Sequence, residues 1–183
     1  MLKIGVVGAT GRMGRMIINS IFANSKAELS AALERQGHPL VGKNIGDIIG
    51  LPEIKVELTD NLKKFISDSE AIIDFSSVES TLNLIKNIKT RSVKIVIGTT
   101  GFNESQQKII ANFSKKNACV FSPNMSIGVN LLFNLAVEAA KIIGKNYDIE
   151  IIETHHNRKK DSPSGTAVKI ADLISNAIQR DID

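Results

Sequence analysis

With 183 residues, 43% of them hydrophobic, the chain can form one ordinary domain, or one domain and part of another, around a real core. The formal charge is only +4, and seven Phe, one Tyr and no Trp leave few rings to stack bases, so nucleic acid is not an expected partner. The single cysteine, Cys119, excludes an internal disulfide; the start enters a strand at once, with neither signal peptide nor transmembrane stretch, so the cytoplasm is the expected compartment and a membrane is not an expected partner.

Leu2-Lys3-Ile4-Gly5-Val6-Val7 reads as a buried parallel strand that runs into the glycine turn Gly8-Ala9-Thr10-Gly11-Arg12-Met13-Gly14. A helix follows through Met16, Ile17, Ile18, Ile21 and Phe22, completing the strand, glycine turn, helix order of a dinucleotide site. Glycine at 8 and 11 lets backbone N–H groups approach a pyrophosphate, and Gly14 lets the helix pack tightly on the sheet. The next apolar run, Leu29 to Leu33, ends in Glu34, twenty residues beyond Gly14, where an acid suits a ribose hydroxyl. Arg35 can instead meet a 2′-phosphate, so NADH and NADPH both remain open.

Ala71 to Phe75 is a third strand, followed by the polar turn Ser76-Ser77 and a helix from Val78. Val93 to Ile97 ends in Gly98-Thr99-Thr100-Gly101, and Ala118 to Phe121 ends in Ser122-Pro123-Asn124-Met125-Ser126 before a long helix from Gly128 to Ile143. These loops lie at the carboxyl ends of strands, where open parallel sheets bind ligands, and their small and hydroxyl side chains suit close cofactor contact. Cys119 reads as a strand residue facing a core, not as a nucleophile. Asp74 reads as structural.

The densest stretch comes last. Tyr147 to Ile152 alternates and is rich in β-branched residues, which predicts a strand ending at Glu153-Thr154-His155-His156-Asn157-Arg158-Lys159-Lys160-Asp161. Ser162-Pro163 stops regular structure, and Ser164-Gly165-Thr166 caps a helix beginning at Ala167. The N–H groups of that first turn are unpaired and partly positive, so histidines, a lysine and a helix N-terminus can converge on one small acid. No metal is expected, because only His38 is left to complete a site around the His155-His156 pair.

Together these segments resemble the dihydrodipicolinate reductase family, nicotinamide-dependent enzymes of the diaminopimelate route to lysine, from Ile4 to about Ala171. His155-His156-Asn157-Arg158-Lys159-Lys160-Asp161-Ser162-Pro163-Ser164-Gly165-Thr166 matches the family's His-His-x-x-Lys-x-Asp-x-Pro-Ser-Gly-Thr signature; the glycine turn, Glu34-Arg35, Asp74-Phe75-Ser76, Gly98 to Gly101 and Pro123 to Ser126 match its other motifs in order. The resemblance implies hydride reduction of a cyclic unsaturated imine dicarboxylate by NADH or NADPH, with His155 and Lys159 as acid/base and proton donor. General chemistry agrees, since imidazole titrates near neutrality and a lysine among other cations gives up its proton more readily. It assigns the substrate carboxylates to His156, Ser164, Gly165 and Thr166. It assigns the cofactor to Gly8, Ala9, Thr10, Gly11, Arg12, Met13, Glu34, Arg35, Gly98, Thr99, Thr100, Ser122, Pro123, Asn124 and Met125.

The implied fold is α/β: a Rossmann-like, doubly wound parallel sheet over residues 1–125, then an incomplete α+β substrate and oligomerisation domain over 126–183. Relatives continue past the position of Asp183 through a further segment that closes the pocket and builds a homo-oligomer, a tetramer; that assembly is not carried over to this chain. A remnant that binds nicotinamide without turnover is the alternative to an active reductase.

Overall fold

Apolar, β-branched runs that repeat after each amphipathic helix pair in parallel, because each crossover helix returns the chain to the same end of the sheet. The computed structural model describes residues 1–89, 92–157 and 162–180, in two compact units, Met1–Ser122 and Pro123–Asp183.

The first unit contains β1 (Leu2–Val7), α1 (Arg12–Phe22), β2 (Ala27–Leu33), α2 (Ile45–Ile49), β3 (Leu58–Thr59) and α3 (Leu62–Ser67). It continues with β4 (Ala71–Asp74), α4 (Val78–Asn87), β5 (Lys94–Ile97), α5 (Glu104–Ser114) and β6 (Cys119–Phe121). The six strands are parallel in the order β3-β2-β1-β4-β5-β6. This is the doubly wound order, and the connections reverse direction between β1 and β4. Side chains alternate between the faces: Ile4 and Val6 pack with Ile18, Ile45 and Leu58, whereas Val7 and Leu33 pack with Phe65, Leu84, Ile95 and Ile110. Fully burying a side chain such as Ile18 or Phe65 contributes roughly 1.5–3 kcal/mol.

The short elements α2 and β3, and the helices α3 and α5, are not singled out by the sequence patterns. Each of these three helices has an asparagine cap, at Asn44, Asn61 and Asn103, and Gln106 completes a capping box with Asn103. Ser77 caps α4 in the same way. Cys119 lies in β6, partly buried, and burial pushes its thiol pKa upward, away from the nucleophilic thiolate.

The second unit contains α6 (Ile127–Ile143), a 3-10 turn at Gly144–Asn146 and α7 (Gly165–Ile178). Ala140 of α6 packs with Ile174 and Ile178 of α7, supported by Ala136, Ile149 and Ile170. The strand expected at Tyr147 to Ile152 does not form among the described residues. Alternation prepares a segment to pair, but only a ladder makes it a strand, and no described segment pairs with it. Among the described residues, no helix is long and apolar enough to cross a membrane.

Candidate functional site

At the reversal between β1 and β4 the glycine turn enters α1. Gly8 has φ +67°, and a Cβ at Gly14 would lie 2.2 Å from the Gly8 carbonyl oxygen, so turn and helix approach as only glycine allows. The turn uses most of its own donors. Gly8 and Ala9 donate to the Leu33 carbonyl, at 2.9 and 3.3 Å, Gly11 donates to Gly8 O at 3.0 Å, and Thr10 N–H donates to Glu34 Oε1 at 3.1 Å.

The N–H groups of Gly8 and Gly11, expected to approach a pyrophosphate, are therefore already engaged, Gly8 with Leu33 of β2 and Gly11 within the turn. What remains open is the start of α1. Gly11 is its N-cap and provides no side-chain hydrogen bond, whereas α2 to α7 are each capped by an Asn or Ser side chain. Arg12 and Met13, both exposed, begin that uncapped turn, where unpaired N–H groups and the helix dipole favour an anion. Arg15 Nε donates to the Thr10 carbonyl at 2.8 Å and braces the turn, a role with no signal in the sequence pattern.

Glu34, at the end of β2, accepts from the Thr10 hydroxyl at 2.6 Å through Oε1 and from Arg35 N–H at 3.3 Å through Oε2. It is thus locked to the glycine turn, and Arg35 is exposed beside it.

Across the reversal, Asp74 ends β4 and is wholly buried. Its Oδ1 accepts from Ser76 N–H at 3.0 Å, from the Ser76 hydroxyl at 2.5 Å and from the Thr99 hydroxyl at 3.5 Å, while Oδ2 has no hydrogen-bond partner. Burial pushes the Asp74 pKa up; the hydrogen bonds from Ser76, Thr81 and Thr99 oppose it without cancelling it. Thr99 is buried, accepts from Ser76 N–H at 3.0 Å and meets Thr81 at 3.2 Å, so its side chain ties the two loops together. Gly98 N–H donates to the Asp74 carbonyl at 2.9 Å, and Thr100 is exposed. Ser122 N–H donates to Ile97 O at 3.2 Å.

In the second unit the described signature residues include the start of α7. Ser164 is its N-cap and accepts from Ala167 N–H at 3.1 Å, and its own N–H donates to Glu153 Oε1 at 2.7 Å. The other Glu153 oxygen, Oε2, lies 2.8 Å from His155 Nε2. The Ser164 hydroxyl, the His155 ring and the Ser164 N–H together hold the Glu153 pKa down to about 2 from an ordinary 4.5. Thr166 Oγ1 accepts from Asn124 Nδ2 at 3.4 Å, and Asn124 Oδ1 accepts from Ser126 N–H at 2.9 Å.

His155 and the Ser164-Gly165-Thr166 turn are thus joined through Glu153, to which sequence reasoning gave no role. Because Ser164 N–H is bonded to Glu153 and the Ser164 hydroxyl to Ala167 N–H, the N–H groups of Gly165 and Thr166 are the donors of that first turn not used by the cap. His156 is exposed, as are Pro123 and Met125. Lys159 lies outside the described residues. Among the described residues, no three His, Cys, Asp or Glu side chains cluster as metal ligands.

Two family profiles match in order. Dihydrodipicolinate reductase, N-terminus, covers residues 2–125, and dihydrodipicolinate reductase, C-terminus, covers residues 128–182. A protein named 4-hydroxy-tetrahydrodipicolinate reductase from Hahella chejuensis is 43% identical over 183 residues, spanning 100% of this chain and 68% of its own length. Its namesake from Psychrobacter arcticus is 44% identical over 177 residues, spanning 97% of this chain and 64% of its own. A solved structure, the dipicolinate-bound dihydrodipicolinate reductase of Paenisporosarcina sp. TG-14, superposes with a TM-score of 0.71 at 30% identity, covering 97% of this chain and 67% of that one. With the two profiles together matching residues 2–125 and 128–182 and relatives this similar along its whole length, the chain belongs to the dihydrodipicolinate reductase family.

Proposed function

We propose that this chain is a 4-hydroxy-tetrahydrodipicolinate reductase, using NADH or NADPH to reduce the cyclic unsaturated imine dicarboxylate left when the hydroxylated precursor loses water. The names carried by relatives above 40% identity, and dipicolinate in a relative of the same fold, support the substrate class. The observation that carries the chemistry is an imidazole, His155, tied through Glu153 to the start of α7, because reduction of this substrate needs a proton donor beside an anion holder.

The uncapped start of α1 fits a dinucleotide pyrophosphate: Arg12 and Met13 offer the N–H groups, and the bare Gly8–Gly14 turn leaves room for the approach. Glu34 suits a ribose hydroxyl and Arg35 a 2′-phosphate. Gly98, Thr100 and the Ser122 to Met125 loop complete the contacts. Nicotinamide supplies the hydride when bound. His155 and Lys159 deliver the balancing proton, and His156 with the N–H groups of Gly165 and Thr166 holds the carboxylates.

The test is turnover of chemically generated substrate by the 183-residue chain, followed through loss of reduced-nicotinamide absorbance. Steady oxidation that depends on both NADH and the imine supports the reading; none at any substrate concentration overturns it.

A further inference from the structure

Glu153 is an acid beside a place proposed to hold a dicarboxylate, and a free carboxylate there would repel the substrate. Its two oxygens are, however, both engaged. Oε1 accepts from Ser164 N–H at 2.7 Å, and Oε2 lies 2.8 Å from His155 Nε2. With a pKa near 2 it is ionised throughout the working range, so it always acts as an acceptor. An imidazole whose Nε2 faces a permanent acceptor keeps a proton on Nε2, and the other nitrogen, Nδ1, is left to exchange protons. The same carboxylate reaches eleven residues along the chain to the cap of α7.

We propose that Glu153 is the positioning residue of the reductive site: it fixes His155 in the tautomer that carries hydrogen on Nε2, so that Nδ1 is the proton-exchanging atom, and it holds that imidazole in register with the start of α7. This rests on the reductase reading for its kinetic consequence, but the tautomer itself does not. The logic is that of any carboxylate behind a catalytic imidazole, where orientation and tautomer, not proton transfer to the carboxylate, are the contribution.

The discriminating variant is Glu153→Gln, which has the same shape. Its amide oxygen can still accept from Ser164 N–H, so the amide NH2 is turned to His155 and donates to Nε2, driving the ring hydrogen to Nδ1. The chain has three histidines, His38, His155 and His156, so ring nitrogens can be assigned by 15N-labelled imidazole NMR. We expect His155 in the Nε2–H form in the wild type and in the Nδ1–H form in Glu153→Gln, with His38 unchanged. In the assay, kcat should fall by about ten- to a hundredfold with KM changed by less than about threefold, NADH affinity should be unchanged, and Glu153→Asp should recover part of the loss. A His155 tautomer that is the same in both proteins, or a kcat within about twofold of wild type, overturns the inference. If the wild type has no turnover, the reductase reading fails instead, and the tautomer comparison still decides the role of Glu153.

Discussion

Asp74 in the first unit and Glu153 in the second are both carboxylates at the ends of segments proposed for function, and their surroundings push them in opposite directions. Asp74 is fully buried with one oxygen unpartnered, and desolvation raises its pKa. Glu153 is partly exposed with both oxygens engaged, and hydrogen bonds lower its pKa. The same contrast separates the units. The first has cores sealed on both faces of its sheet, while the second, among the described residues, has a core cluster of Ala140, Ile174 and Ile178 and leaves Ile127, Leu135, Ile142 and Ile152 exposed. Burial organises the first unit and surface hydrogen bonding organises the proposed chemistry of the second, so the two should respond differently to perturbation.

The largest effect should come from the sealed core. Phe65→Ala removes a fully buried ring and should destabilise the first unit by about 3–5 kcal/mol in urea unfolding. Nucleotide binding should disappear with it; a loss under about 1 kcal/mol would mean the core is not what holds that unit.

Next in size is chemistry in the second unit. Lys159→Ala should lower turnover about a hundredfold without touching NADH affinity, while Thr166→Ala should act mainly on the substrate KM. If Lys159→Ala weakened NADH instead, the lysine would belong with the cofactor.

Gly11→Asp sharpens the reading of the uncapped helix. The new side chain, its Cβ 3.2 Å from the Gly8 carbonyl oxygen, would put a carboxylate at the start of α1 in the place of the pyrophosphate, so NADH affinity should fall by more than about tenfold. A folded variant that binds NADH as before would take the start of α1 out of the cofactor site. Smaller again is cofactor choice. With Glu34 and Arg35 both present, NADH and NADPH should be accepted within about tenfold, and Arg35→Ala should weaken NADPH selectively.

The smallest effects are in pH. Glu153, depressed to about 2 from 4.5, contributes stability that is full above about pH 4.5 and is lost as pH falls towards 2. Asp74, raised from 3.8, contributes in the other sense: its stabilisation is present below that value and is lost as pH rises through its folded pKa. Between about pH 5 and pH 3, Glu153→Gln should therefore lose less thermal stability than the wild type, and Asp74→Asn should lose more. Parallel melting curves for both variants would remove the opposition between the two carboxylates.

Much of the fold is legible in local pattern. Leu2 to Val7, Ala71 to Asp74 and the run ending at Ile97 declare strands because parallel sheets bury both faces and so select continuous apolar runs, while the run ending at Phe121 forms the edge strand and leaves Val120 and Phe121 exposed. Ser164 declares a helix cap because its hydroxyl needs only the N–H three residues on. Tyr147 to Ile152 misled, because period-two alternation specifies a face to bury but not a partner to pair with.

The sequence by itself determined the strands β1, β2, β4, β5 and β6, the helices α1, α4, α6 and α7, the glycine turn and the Ser164 cap, since these depend on neighbours a few residues away. Tertiary structure decided which groups of those motifs are free to act. Thr10 is locked to Glu34 across 24 residues, Ser76 to Thr99 across 23, and Ser164 to Glu153 across 11, so the donors proposed to meet ligands are those of Arg12, Met13, Gly165 and Thr166. The physical reason is that a polar group's availability depends on what it already bonds, and those partners are set by long-range packing that no local pattern encodes.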